Sequence, residues 1–214
     1  MTGRPAPHPP RRRTARSTRT RIVEAARREL GRDPDCSLGD IAAAAGVARR
    51  TVYVHFAGRA ALIEGLTAEA ADALRLAITV TRTPMPDAVT ALARFVLTLW
   101  PVGDRYRTLI GLSRQGPGPD RVSELLAPAR DTVAGILARG QQQGVFHTSV
   151  PPGPLSRALE AHLLALLDSV NSGVWADDGT GAATAALIAA GVDHGVAASE
   201  VHRLHGTGQA QPPH

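Results

Sequence analysis

The sequence predicts an all-α protein in two parts, a small N-terminal helix-turn-helix domain and a larger helical body. Three observations carry that expectation. Apolar residues recur at three- and four-residue intervals along most of the chain, and no stretch alternates convincingly with period two. Glycines and prolines separate the periodic runs. Charge is placed unevenly: residues 1–60 carry thirteen arginines against five acids, a net +8, while residues 61–214 carry eleven against fourteen, a net −3. A basic front and a mildly acidic rear point the front towards a polyanion.

Taken in order, residues 1–16 are rich in arginine and proline without helical spacing, which predicts a disordered basic arm. From Thr18, the residues Ile22, Ala25, Ala26 and Leu30 share one helix face, and Gly31 and Pro34 end that helix. Ser37 with Asp40 three residues on resembles a capping box with Asp in place of Glu. It opens a second helix through Ile41, Ala42 and Ala45, stopped by Gly46. A short third helix is expected from Ala48 to Val54. Gly58 leads into a long fourth helix through Leu62, Leu66, Ala70, Leu74 and Ile78, closed by Pro84 and Pro86.

The rear half reads as helices over Asp87–Leu99, Asp104–Leu112, Pro119–Gln143 (bent or restarted at Pro128), Leu155–Val174 and Ala182–Leu204. About nine helices are expected in all. The boundaries that follow are an arm at 1–16, a helix-turn-helix domain at 17–65, a helical body at 66–204 and a frayed tail at 205–214.

Composition limits the chemistry. Of 214 residues, 43% are hydrophobic but only 3% aromatic, so the core is built from Ala, Leu, Val and Ile. Every one of the 24 basic residues is arginine. Cys36 is the single cysteine, which excludes a disulfide framework or thiolate metal cluster within one chain and fits a cytoplasmic setting. The apolar runs fall short of the roughly 20 residues that span a bilayer. Residues 1–21 lack the apolar stretch of a secretory signal.

The motif with the most chemical content is Ser37–Leu66, SLGDIAAAAGVARRTVYVHFAGRAALIEGL. A helix-turn-helix needs a small residue where its helices cross, a turn residue that tolerates positive φ, and apolar positions that lock the pair. Ala42, Gly46 and the set Ile41, Ala45, Val47 and Val52 meet those needs. The second helix of such a pair lies in the DNA major groove. Arg49, Arg50 and Tyr53 fall at i, i+1 and i+4 on it, and an arginine can hold guanine O6 and N7 together. Thr51 can donate to a phosphate. Ser37 can cap its helix and touch a phosphate there.

At these residues the chain resembles the TetR family (TetR/AcrR) of one-component transcriptional regulators. The matching positions are Ser37, Ile41-Ala42, Ala45-Gly46-Val47, Thr51-Val52-Tyr53, His55-Phe56 and Arg59. The resemblance implies a homodimer on a two-fold-symmetric double-stranded DNA operator, with Ser37, Arg49, Arg50, Thr51, Tyr53, His55 and Arg59 at the DNA. It also implies a small-molecule effector held in the rear half. Three departures bear on which operator is read. Arg50 stands where Gly is frequent, Ala48 stands where a Ser or Thr cap is frequent, and Val54 replaces a frequently polar or aromatic residue, leaving one contact fewer. Arg11–Arg13 add sequence-independent attraction, with minor-groove entry as the alternative.

For the dimer, the candidate helices are Leu155–Val174 and Ala182–Leu204. In the first, Leu159, Leu163, Leu166, Leu167 and Val170 give an apolar face; in the second, Ala185, Ala186, Ala189, Ala190 and Val192 would let two backbones approach closely. For the effector, the candidates are Phe95, Trp100 and Tyr106, with Arg107, Arg114 and His162 as polar contacts; core packing is the commoner use of such aromatics. The expected function is a regulator, a repressor released by its ligand, with a ligand-responsive activator as the alternative. From another class, a nonspecific DNA-coating protein fits the arm but not the acidic rear. No nucleotide-binding, hydrolase or zinc-protease motif is present, so no catalytic residue or cofactor is expected. His194, His202 and His205 are spaced for a metal, but only Glu200 stands near to complete the set and a frayed C-terminus is a poor cage, so no metal is expected.

Overall fold

The computed structural model describes residues 11–81, 85–115 and 119–209, and all secondary structure among them is helical. The order is α1 (Arg11–Arg32), α2 (Leu38–Ala44), α3 (Arg49–His55), α4 (Arg59–Thr81), α5 (Ala88–Gln115), α6 (Pro119–Gln142), α7 (Pro152–Asn171), α8 (Thr180–Ala189) and α9 (His194–Gln209). The chain divides into two compact units, up to Ala68 and from Glu69 onward.

In the first unit, α1 packs on α2 and α2 on α3. Ile22, Ala25, Ala26 and Leu30 of α1 bury against a core that includes Ile41, Ala42, Ala45 and Val52. The small size of the alanines among them is what allows the helices to approach. Gly46 has φ +63°, the left-handed turn that only glycine adopts without strain. Val47, expected on the inner face, is half-buried.

The second unit is held by one extended cluster. Leu92, Phe95, Val96 and Trp100 of α5 meet Val133, Ile136 and Leu137 of α6, Leu155, Leu159 and Leu167 of α7, and the small residues of α8 and α9. Phe146 lies over α6, and a Cβ on Gly140 would overlap its ring. Thr90, in the first turn of α5, has its Oγ1 against Asp87 and 2.6 Å from Glu200 of α9, so its single hydroxyl proton is donated to one or the other carboxylate. Burial acts to raise the Asp87 carboxyl. The hydrogen bonds from Thr90 and Val89 together outweigh it, so the group sits below the ordinary carboxylate range.

Four sequence expectations change. Residues 11–16, expected in a disordered arm, already form the start of α1. Arginine is a good helix former. Residues 1–10 of that arm lie outside the described residues. The two helices expected over Asp87–Leu99 and Asp104–Leu112 are one, α5, with Pro101 inside it. Pro101 removes one N–H from the ladder, but Trp100, Tyr106 and Leu109 bury apolar surface on both sides and hold the helix together.

The single helix expected over Ala182–Leu204 is instead two. Gly191 turns at φ +101°, and Asp193 caps α9 by accepting from the N–H groups of Gly195 and Val196. That restart offsets the break in the ladder. The tail expected from residue 205 is helical to Gln209, and 210–214 lie outside the described residues. Among the described residues no helix is long and apolar enough to cross a membrane.

Candidate nucleic-acid interface

The candidate recognition element is α3, and three devices in the first unit fix it. The first is a complete capping box at α2. Ser37 Oγ accepts from the N–H groups of Gly39 and Asp40, both at 3.2 Å, while Asp40 Oδ2 accepts from Ser37 N–H at 2.9 Å. Ser37 Oγ also donates to Asp40 Oδ2 at 2.7 Å. The Ser37 hydroxyl, first of all, and then its N–H hold the Asp40 carboxyl below its ordinary range. The hydroxyl is therefore engaged beside a carboxylate, and an approaching phosphate would meet that negative charge too.

The second device is Arg21. Its Nη2 donates to Ala45 O at 2.6 Å and Gly46 O at 3.3 Å. A cation here satisfies carbonyls that a helix end leaves open and opposes the negative end of the α2 dipole. Sequence reasoning missed this residue. Its place on α1, 25 residues before the turn, gives no local signal.

The third device joins α4 to the α1–α2 turn. Arg59 donates through Nη1 to Cys36 O at 2.6 Å and through Nη2 to Pro34 O. Sequence reasoning placed Arg59 at the DNA backbone; the structure has it bonding two backbone carbonyls of its own unit. Phe56 then closes α3. Its ring lies where a Cβ on Gly65 would stand 2.8 Å away, and Arg19 sits 5.0 Å over its face.

These restraints present α3 with Val52 fully buried and the other side outward. Arg49 and Arg50 are exposed, Thr51 and His55 are half-buried, and Tyr53 is 48% exposed. Arg49 lies 5.9 Å over the Tyr53 ring, the i, i+4 contact that the spacing allows. Val54 is 80% exposed, the most open large apolar side chain of the unit. Ala48 stands at the N-cap of α3 and makes no side-chain cap bond.

The candidate effector residues are scattered in role. Phe95 and Trp100 are buried in the cluster. Trp100 packs edge-on to Trp175 at 6.0 Å and donates through Nε1 to Asp177 O at 3.2 Å. Tyr106 is buried and donates to Glu69 Oε1 at 2.9 Å. Arg107 holds Asp104 Oδ1 at 2.5 Å, yet its buried Nε has no partner, and neither has the buried Nε2 of His162. The side chain of Arg114 lies outside the described residues. An open surface cavity of about 500 Å³ between α6 and α7 is lined by Arg130, Asp131, Pro154, Ser156 and Arg157, among others, and by none of these candidates. His205 pairs with Asp178 at 3.5 Å. No three metal-ligating side chains converge among the described residues.

A short exposed basic helix, held at fixed geometry by a glycine turn and a capped partner helix, defines a helix-turn-helix DNA-binding domain. Residues 22–66 match the family model described as bacterial regulatory proteins, tetR family. No curated protein matches the chain. Among solved structures, the chain is similar to a gamma-butyrolactone receptor (ArpA-like protein) at TM-score 0.67 and 18% identity, covering 90% of this chain and 99% of that one. It is similar to SmeT, the repressor of the Stenotrophomonas maltophilia multidrug efflux pump SmeDEF, at 0.60 and 19%, covering 82% and 91%. It is also similar to RolR, solved with the ligand resorcinol, at 0.55 and 20%, covering 89% and 95%. Residues 22–66 are thus similar to the DNA-binding domain of the TetR family, and the chain as a whole has the fold of these solved structures.

Proposed function

We propose that the protein is a sequence-specific transcriptional regulator, a homodimer that binds a two-fold-symmetric operator and is released from it by a small molecule. The observation that carries this reading is the exposed face of α3, with Arg49 and Arg50 outward and Val52 fully buried beneath. Two such helices are needed, since one reads too few base pairs for a selective site. Arg49, Arg50, Thr51, Tyr53 and His55 are the contacts proposed for bases and phosphates. Ser37 and Arg59 act by holding α2 and the start of α4, with any phosphate contact added to those duties.

Ligand response is supported by the relatives. One was solved with resorcinol, one is a receptor for a gamma-butyrolactone, and one represses an efflux pump. Within this chain, Arg107 and His162 are the favoured contacts. Each has a buried nitrogen without a partner, and such a group is costly unless something accepts from or donates to it. A ligand oxygen beside either nitrogen would satisfy it. Release then needs that ligand to bind the DNA-free state more tightly than the DNA-bound one. The protein is not an enzyme on this reading and works in the cytoplasm.

The test is selection of bound duplexes from a random pool, repeated with Arg49→Ala/Arg50→Ala. Enrichment of an inverted repeat by the wild type and its loss in the double variant are expected. Binding that follows salt concentration alone, with no enriched sequence, would instead favour a nonspecific DNA-coating protein.

A further inference from the structure

The most outward line of α3 is not the one that carries its aromatic. Successive helix residues are rotated by about 100°, so residues two before and two after a buried one point almost directly away from it. Val52 is fully buried. The residues opposite it are Arg50 and Val54, whereas Tyr53 and Thr51 lie on the flanks. Exposure agrees: Val54 is 80% open and Tyr53 48%. Tyr53 is also covered on one side by Arg49.

A β-branched apolar side chain this open gains nothing for the fold. It costs a little helix propensity relative to alanine and exposes hydrocarbon to water. The surrounding face is cationic through Arg49 and Arg50, which suits DNA and disfavours an apolar protein partner. In the major groove, the one apolar feature of the base edges is the thymine C5-methyl group.

We propose that Val54 is a specificity-determining residue that contacts a thymine methyl in each half-site, beside the guanine held by Arg50. The inference rests on the DNA-reading function proposed above. The two side chains are one helical turn apart, about 6 Å along the axis. Base pairs step by about 3.4 Å, so the thymine lies within about two steps of that guanine. Val54, which stands where the family frequently has a polar or aromatic residue, thereby gains an apolar contact rather than leaving one contact fewer.

The experiment replaces each thymine of the selected operator by deoxyuridine in turn. This deletes the methyl group and keeps the hydrogen-bonding edge. Binding is measured for the wild type, Val54→Ala and Val54→Thr, with the unfolding midpoint of each. Val54 is exposed, so both variants are expected to fold as the wild type does. At one position in each half-site, deoxyuridine should weaken wild-type binding about fourfold, the value of one buried methyl group, and about 15-fold when both half-sites are changed. Val54→Ala should bind the thymine operator correspondingly less well and be indifferent to the substitution there. Val54→Thr, which keeps one methyl, should retain part of the preference. Equal sensitivity of wild type and Val54→Ala at every position overturns the contact while leaving the regulator reading intact. Failure of the wild type to select any operator overturns both.

Discussion

The two units of this protein solve the same packing problem with different means. The first unit buries small side chains, Ala25, Ala26, Ala42 and Ala45, and spends polar groups to fix the path of its turns. Ser37 and Asp40 cap α2, Arg21 closes its end, and Arg59 ties α4 back to Pro34 and Cys36. The second unit also buries alanines, and Asp177 and Asp193 cap its last two helices, but most of its core is one broad apolar cluster from α4 to α9. A reading head must hold one helix at a set angle, and directional bonds do that. On the proposed function the body responds to a ligand, and it can do so by repacking, because apolar contacts are non-directional.

That contrast implies that damage should separate cleanly. The largest effect is expected in the second unit. Phe146→Ala, which empties the site over Gly140, should cost about 3–5 kcal/mol, read as a lowered denaturant midpoint. The operator sequence selected by protein that remains folded should not change. If it does change, the two units are coupled more tightly than their separate cores suggest.

Arg59→Ala should come next, at about 2 kcal/mol of stability, since it removes two charge-assisted hydrogen bonds to backbone carbonyls. Its salt dependence of DNA binding should stay as in the wild type. If instead stability holds and the salt slope falls by about 1, Arg59 is a phosphate contact first. Arg50→Ala should show the reverse pattern: stability within about 0.5 kcal/mol, and about 1–3 kcal/mol less discrimination at one base pair of each half-site. A binding titration against single-base operator variants reads both quantities.

Arg21→Ala is a smaller change, about 1 kcal/mol, the worth of a cap and its interaction with the helix dipole. It should weaken operator binding more than binding to unrelated duplex, because it loosens the angle of α3 without removing a DNA contact. The smallest effect is the pH response of the capping box. The Asp40 carboxyl is lowered by its bonds from Ser37, so its contribution is present above the ordinary carboxylate pKa of about 4 and is lost as pH falls through the lower folded value. Asp40→Asn should flatten that acid-side decline of the first unit. Equal acid profiles for both proteins would mean that the box contributes nothing in solution.

By itself the sequence determined the helical class, the glycine turn at Gly46, the cap at Ser37 and the short basic helix α3. Each of these is local. A period of 3.6, a residue that must adopt positive φ, or a Ser with an acid three places on can be seen within one or two turns of chain. The tertiary structure decided what depends on distant partners. Pro101 is tolerated because α5 is buried on both sides of it, and Ala182–Leu204 breaks because Gly191 turns and Asp193 restarts the helix. Arg21 and Arg59 spend their charge on carbonyls 23 to 25 residues away. Val54 faces outward because Val52, two residues before it, is fixed in the core. A side chain's neighbours in sequence say what it can do; the direction in which the fold aims it says which of those things is available.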